Sequence, residues 1–270
     1  MLVAAKLEFT RGQAIEARAI YEEILSIVPS WEDALVPYGF LLDDQIRSHI
    51  QMGNVKQSLE DGEKVLSIVD VLSREASPSM QVMTIKLKAF ENMAKALLLR
   101  GELGDRDKSL NYFQKGLDLG EQIYSHNPNS VEAALDLARS LNDLGDFLQD
   151  RGQSGDANLA LTYLQRSLDL LELVFKTNPE STDVVYALSG SLNRLGDYYD
   201  RRGATGDAEL AFDSYQRSLD LSERMLQEHP NDLEAELSVW DALNSLAFFL
   251  DRRGHLGDAD RAIALVERSL

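Results

Sequence analysis

Apolar side chains return along this chain in steps of one, three and four. Between 160 and 171 they are Ala160, Leu161, Tyr163, Leu164, Leu168 and Leu171, a spacing that lays one stripe along an α-helix. No stretch alternates β-branched with polar residues, and no Asn-Gly hairpin turn occurs. Two marks punctuate the helical segments. Arg-Gly pairs stand at Arg11-Gly12, Arg100-Gly101, Arg151-Gly152, Arg202-Gly203 and Arg253-Gly254, with Met52-Gly53 filling the gap; successive glycines are 41, 48, 51, 51 and 51 residues apart. Between them lie Pro29, Pro78, Pro128, Pro179 and Pro230. Glycine just past a helix end takes the left-handed conformation that closes the last carbonyls, and proline cannot continue a helix. Each unit therefore runs segment, glycine, segment, proline. The pattern predicts an all-α chain of twelve helices in six hairpins, the first and last helices cut short. The units span about 1–29, 30–78, 79–128, 129–179, 180–230 and 231–270, stacked in one array.

Start signals accompany the marks. Ser30, Asn129 and Asn231 are expected N-caps, each followed three residues later by an acid (Asp33, Glu132, Glu234). Asp156, Asp207 and Asp258 are expected to cap the second helices of their hairpins. Pro37 falls early in the second unit's first helix, which is expected to start near Val36 or to kink there.

The repetition is close. Residues 150–170 and 201–221 agree at thirteen of 21 positions. Small residues recur where two helices should approach: Gly145, Gly196 and Ala247 on first helices, Ala160, Ala211 and Ala262 on second helices. In this pattern the chain resembles tetratricopeptide repeat (TPR) arrays, whose motif is W-x2-L-G-x2-Y, then A-x3-F, then proline. The matches are Leu141-x2-Leu144-Gly145-x2-Leu148 with Ala160-x3-Leu164 and Pro179; Leu192-x2-Leu195-Gly196-x2-Tyr199 with Ala211-x3-Tyr215 and Pro230; Leu243-x2-Leu246-Ala247-x2-Leu250 with Ala262-x3-Val266; and Ala17-x3-Tyr21 with Pro29. The motif tryptophan is never at its usual place, and Ser109 replaces the alanine in one unit. The resemblance implies an α-solenoid of stacked antiparallel hairpins wound as a right-handed superhelix. Against the family's 34-residue period, both helices of the later units gain about seven residues, roughly two turns, so the same faces stay inward. Elongated repeats of this architecture are similar to those of the kinesin light chain, as "LNDLG", "LNRLG" and "LNSLA" suggest.

Composition narrows the function. The chain has 270 residues, a formal charge of −18 and no cysteine. Disulfides, thiolate metal sites and thiol catalysis are excluded. The acid excess argues against nucleic acid, whose phosphates need clustered Lys and Arg, and favours neutral or basic partners. No apolar run approaches the roughly 18 residues of a bilayer span, and no signal peptide is evident; a cytoplasmic protein without membrane contact is expected. The four histidines are scattered, no phosphate-binding or nucleophile motif occurs, and "GATGD" is a helix–helix turn. No enzyme activity, metal or cofactor is expected.

Binding is the better search. Three residues before each small glycine or alanine stand Asn142, Asn193 and Asn244. By the resemblance, first helices line the concave face, and asparagine columns hold extended peptides there. A carboxamide both donates and accepts, so it clamps a backbone without reading its sequence; alternatively these amides bond neighbouring helices and stiffen the stack. Beside the column, Arg139, Arg194 and Arg201 mix with Asp146 and Asp197. The lysine position of the chaperone-type carboxylate clamp holds Asp43, Glu91 or Asn142, which argues against that mode. Phe248 replaces the acids of earlier units and follows Trp240 by eight residues; it is either a partner hot spot or packs under a further repeat. Phe147, Tyr198 and Phe249 are expected in the core. The expected function is a protein-interaction scaffold that binds a peptide or protein segment, extended or basic. The alternatives are a regulatory segment of a larger effector (a protease or nucleotide-driven switch) and an array that associates end to end.

Overall fold

A computed structural model describes residues 1–73 and 78–269; residues 74–77 and Leu270, the last position of the sixth expected unit, lie outside the described residues. All elements among the described residues are helices. The chain divides into two compact units, Met1–His126 and Asn127–Leu270, each a stack of antiparallel helix hairpins.

The first unit holds α1 (Leu2–Thr10), α2 (Ala14–Ile27), α3 (Glu32–Gln51), α4 (Val55–Leu72), α5 (Met80–Arg100) and α6 (Asp105–His126). Its core gathers Ala17, Tyr21, Leu41, Leu42, Ile46 and Ile85. A polar network crosses it. Arg18 grips the buried Asp61 with both terminal nitrogens, at 2.8 and 3.1 Å. Glu22 accepts from the Tyr38 hydroxyl at 2.7 Å and from Lys64 Nζ at 2.6 Å. Burial opposes the Glu22 charge, but Lys64, Tyr38 and Arg18 together hold its carboxyl down to about 2. The expected start near Val36 needs correction: α3 starts at Glu32, so Pro37 lies inside the helix, where it lacks the N–H that the Asp33 carbonyl would have received.

The second unit holds α7 (Val131–Arg151), α8 (Asp156–Thr177), α9 (Thr182–Arg202), α10 (Asp207–Glu228), α11 (Leu233–Arg253) and α12 (Asp258–Ser269). First helices start at 131, 182 and 233, and second helices at 156, 207 and 258. Every element thus has a counterpart 51 residues away. The small residues sit at the close approach the sequence predicts. A Cβ on Gly145 would meet Leu164 at 3.0 Å, and one on Gly196 would meet the Tyr215 ring at 2.8 Å. Phe147, Tyr198 and Phe249 are buried core, as expected. In the first unit, Ser109 fills the alanine position by donating its hydroxyl to the Ala94 carbonyl at 3.0 Å across the hairpin.

The expected caps are displaced by one residue. Ser130 Oγ accepts from the Ala133 N–H and Asp232 Oδ1 from the Glu234 and Ala235 N–H groups, while Ser79 and Ser181 cap α5 and α9. Asn129 and Asn231 stand just outside, and α3 has Trp31 at its start with no side-chain cap, so Ser30 does not serve. The second-helix aspartates are not N-caps either; they are first helical residues that reach backwards. In each turn the arginine before the first glycine forks onto the aspartate after the second: Arg100–Asp105, Arg151–Asp156, Arg202–Asp207 and Arg253–Asp258, at 2.5–2.8 Å. The same carboxylate accepts the N–H three residues earlier, at 2.8–3.0 Å. Both turn glycines have positive φ, for example +64° at Gly152 and +90° at Gly155, values a side chain would strain. The forked arginine holds Asp105 and Asp258 at about 2, below the ordinary carboxylate range, and lowers Asp156 and Asp207 in the same way.

Candidate functional site

The first helices α7, α9 and α11 of the second unit are neighbours, and they carry the residues singled out above. Stacking in register brings position n of one helix beside position n + 51 of the next. The three asparagines share that register but not an environment. Asn142 is buried, and its Nδ2 donates to Ser191 Oγ on α9 at 2.7 Å. Ser191 is in turn 3.2 Å from Ser167 Oγ, which donates to the Ala138 carbonyl at 3.0 Å. Asn142 therefore ties α7 to α9 through a hydroxyl chain that also reaches α8. Its Oδ1 and the Asn193 Oδ1 are buried without a hydrogen-bond donor. Asn244 turns its Nδ2 onto the Trp240 carbonyl of its own helix at 2.8 Å, close to solvent.

The arginines are engaged. Arg194 on α9 donates Nε to Asp146 Oδ2 on α7 at 2.9 Å and Nη1 to the Gly190 carbonyl at 3.2 Å. Arg201 reaches Asp150 at 2.8 Å, and Arg139 pairs with Asp136 on its own helix at 2.9 Å. Asp197 accepts the Tyr215 hydroxyl at 2.6 Å. Phe248 lies open on α11, with Trp240 two turns earlier also exposed.

Asp143 and Asp197 act on Asp146, Asp146 and Asp143 act on the Arg194 guanidinium, and Arg194 acts on Asp241 of α11. Asp146 and Arg194 keep 42% and 39% of their side-chain surface open. Burial is nevertheless the leading influence on both. That burial pushes the Asp146 carboxyl up in spite of Arg194 and does the same to Asp241. Arg194 itself stays above its usual range because Asp146 and Asp143 outweigh its desolvation. Tyr186 of α9 is raised by burial and by Asp241. At the helix starts the Glu234 carboxyl is raised first by its hydrogen bond with Asp183, then by burial.

Tyr186, Asp241 and the Asp183–Glu234 pair are members of this wall that the sequence reading passed over. A usable signal was present, since 183 and 234 are 51 apart. Gly190 is another: it stands where the next unit has Asp241, and a Cβ there would come within 3.3 Å of Arg194 Nη1. The glycine makes room for the guanidinium. Charge is also unevenly divided. Residues 127–270 carry 26 Asp and Glu against 13 Lys and Arg, whereas residues 1–126 carry 19 against 14. Among the described residues no cluster of three His, Cys, Asp or Glu side chains is placed to hold a metal ion. No helix among them is long and apolar enough to cross a membrane.

No family model and no curated protein sequence matches the chain. Several solved structures share its manner of stacking helices. A de novo designed helical repeat protein is 16% identical over 71% of this chain and 94% of its own, with a TM-score of 0.49. A thermophilic TPR protein, TTC0263 of Thermus thermophilus, is 17% identical over 90% and 96%, with a TM-score of 0.48. The MamA protein of AMB-1 is 17% identical over 84% and 94%, with a TM-score of 0.35. At these scores the likeness adds nothing to the site, whose reading rests on the chain's own geometry.

Proposed function

We propose that this chain is a non-catalytic interaction scaffold of TPR-like, elongated-repeat type, and that the α7–α9–α11 wall binds an extended, basic segment of a partner protein. One observation carries the reading: Asp146 of α7 and Asp241 of α11 are both raised by burial although both interact with the Arg194 guanidinium of α9, which donates to Asp146 at 2.9 Å. A lysine or arginine from a partner adds positive charge beside these two carboxylates and offsets their burial. Asn244, Arg139 and Arg201 extend the same wall. Charged recognition of this kind speeds and selects association more than it tightens it, so a salt-sensitive, moderate affinity is expected.

The test is fluorescence anisotropy with labelled Lys/Arg-rich, Glu-rich and neutral peptides of equal length. The basic peptide should bind best and weaken as salt rises. Asp146→Asn with Asp241→Asn should weaken it several-fold, in line with ~0.5–1 kcal/mol for each partly exposed pair. Equal binding of all three peptides, or indifference to both substitutions, would defeat the reading.

A further inference from the structure

Two rows of side chains cross the first helices of the second unit. Leu135, Tyr186 and Leu237 stand 51 residues apart on α7, α9 and α11, at one register. Three residues before each of them is an acid: Glu132, Asp183 and Glu234. Residues three apart share a helix face, so the acid row borders the apolar row. Tyr186 and Leu237 are 43% and 46% exposed, and Leu135 is partly buried. Because α9 contacts both α7 and α11, the open Tyr186 ring belongs to the interior of the stack. A lone apolar side chain in water is ordinary, whereas a large one at the same register on three adjoining helices makes a patch.

Acids lie along both edges of this row. On the edge toward the helix starts, Glu132, Asp183 and Glu234 are all exposed, and Asp183 and Glu234 hydrogen-bond to each other. On the other edge Asp241 follows Leu237 by four residues, again on the same helix face. The Tyr186 hydroxyl feels both edges, because the charges of Asp241 and Glu234 act on it, as does that of Arg194. Arg139, at the α7 end of the second edge, pairs with Asp136 of its own helix. The wall thus reads acid, apolar, acid in the direction of the helix axes.

We infer that the Leu135–Tyr186–Leu237 row seats the apolar side chains of an extended partner segment that crosses α7, α9 and α11, a segment in which every third residue is apolar and the residues between are Lys or Arg. This rests on the reading of the wall as a site for a basic segment and adds the pattern that such a segment must carry. Packed helices lie ~8–10 Å apart. Three residues of polyproline II chain advance roughly 9 Å and complete one turn, so one edge of the segment meets the row once per helix. Its other two edges point toward the two lines of acids. A β-strand would present an apolar residue about every 7 Å, out of step with the helices.

Fluorescence anisotropy with three labelled peptides of equal length and charge tests this: repeats of Leu-Lys-Arg, repeats of Ala-Lys-Arg, and the first composition with its leucines gathered together. The leucine repeat should bind roughly tenfold more tightly than either of the others, the scale set by loss of apolar anchors, and the mixture should gain no helical signal by circular dichroism. Tyr186→Ala with Leu237→Ala, both at exposed positions, should make the leucine and alanine repeats bind alike. Tyr186→Leu, which keeps an apolar side chain in the row, should preserve the difference. Asp146→Asn with Asp241→Asn should instead weaken both repeats together. If the alanine repeat binds in a salt-sensitive way and the leucines add nothing, the row is overturned and the basic-segment reading survives; if no basic peptide binds, both fall. Gathered leucines that bind as tightly as spaced ones, a preference that outlasts the double alanine variant, or a gain of helix on binding each overturn the inference.

Discussion

Replacing Gly196 by alanine should destabilise the second unit, although alanine is the better helix former. The added Cβ would lie 2.8 Å from Cε1 and Cζ of Tyr215 and 3.0 Å from its Cδ1. That ring has nowhere to go. Its hydroxyl is bound to Asp197 at 2.6 Å, its far side meets Phe249, and it is buried. Helix propensity returns about 1 kcal/mol, while overpacking a close-packed core costs ~1–3 kcal/mol. The net expectation is a loss of about 1 kcal/mol, or a midpoint lower by ~2–4 °C in a chain of this size. Gly190→Ala is the control with the opposite sign. Its Cβ would meet only Arg194 Nη1 at 3.3 Å, the far end of a flexible side chain that can shift, so roughly 0.5–1 kcal/mol of helix propensity is gained. The hairpin one register later holds the compensated pair, Ala247 with Val266. Introducing Tyr215→Val into Gly196→Ala should therefore cost less than the sum of the single changes by more than ~0.5 kcal/mol. Urea unfolding followed at 222 nm measures the four variants against the parent. A Gly196→Ala protein as stable as its parent, or strictly additive losses in the double variant, would refute the reasoning.

Three further outcomes are expected. Ser130→Ala should cost ~1 kcal/mol by removing the cap of α7, and Asn129→Ala almost nothing, as read by thermal midpoints. Asn142→Ala should lower stability by about 1 kcal/mol through the lost bond to Ser191, whereas Asn244→Ala should leave the melt unchanged and report on partner binding alone. The pH responses should run in opposite directions. Asp105 and Asp258 are held at about 2, below their unfolded value, so their contribution is full above about pH 4 and is lost as pH falls toward 2; Asp258→Asn should remove part of that acid-induced loss. Asp241 is raised, so its charge opposes folding at neutral pH; Asp241→Asn should raise the midpoint at pH 7 and give no gain near pH 3.

The helices and their register were legible because period and punctuation are local properties. Glycine and proline act on their own backbone, and a stripe of apolar residues needs no partner to be recognised. The caps were missed by one residue because two competent side chains stand side by side at Asn129-Ser130 and Asn231-Asp232, and the direction of chain entry decides between them. Pro37 looked like a helix breaker, but it withholds only one hydrogen bond, and the core around Leu41 and Leu42 outweighs that. The forked turns were not legible, since the pairing of Arg151 with Asp156 follows from a fold-back that periodicity does not express. The asparagine column shows the remaining limit. Identical spacing gave three environments, because Asn142 faces Ser191, whereas Asn244 turns to its own helix.

The turn of the form Arg-Gly-x-x-Gly-Asp is closed by its arginine and aspartate side chains and by the backbone N–H of its first middle residue, so the closure asks for no particular side chain at the two middle positions. Those residues are Glu102-Leu103, Gln153-Ser154, Ala204-Thr205 and His255-Leu256, with Leu103 and Leu256 wholly in water. Selection on these pairs is consequently uncoupled from selection on the scaffold. They form a set of rigid pegs on which short foreign sequences could be displayed without renegotiating the packing beneath.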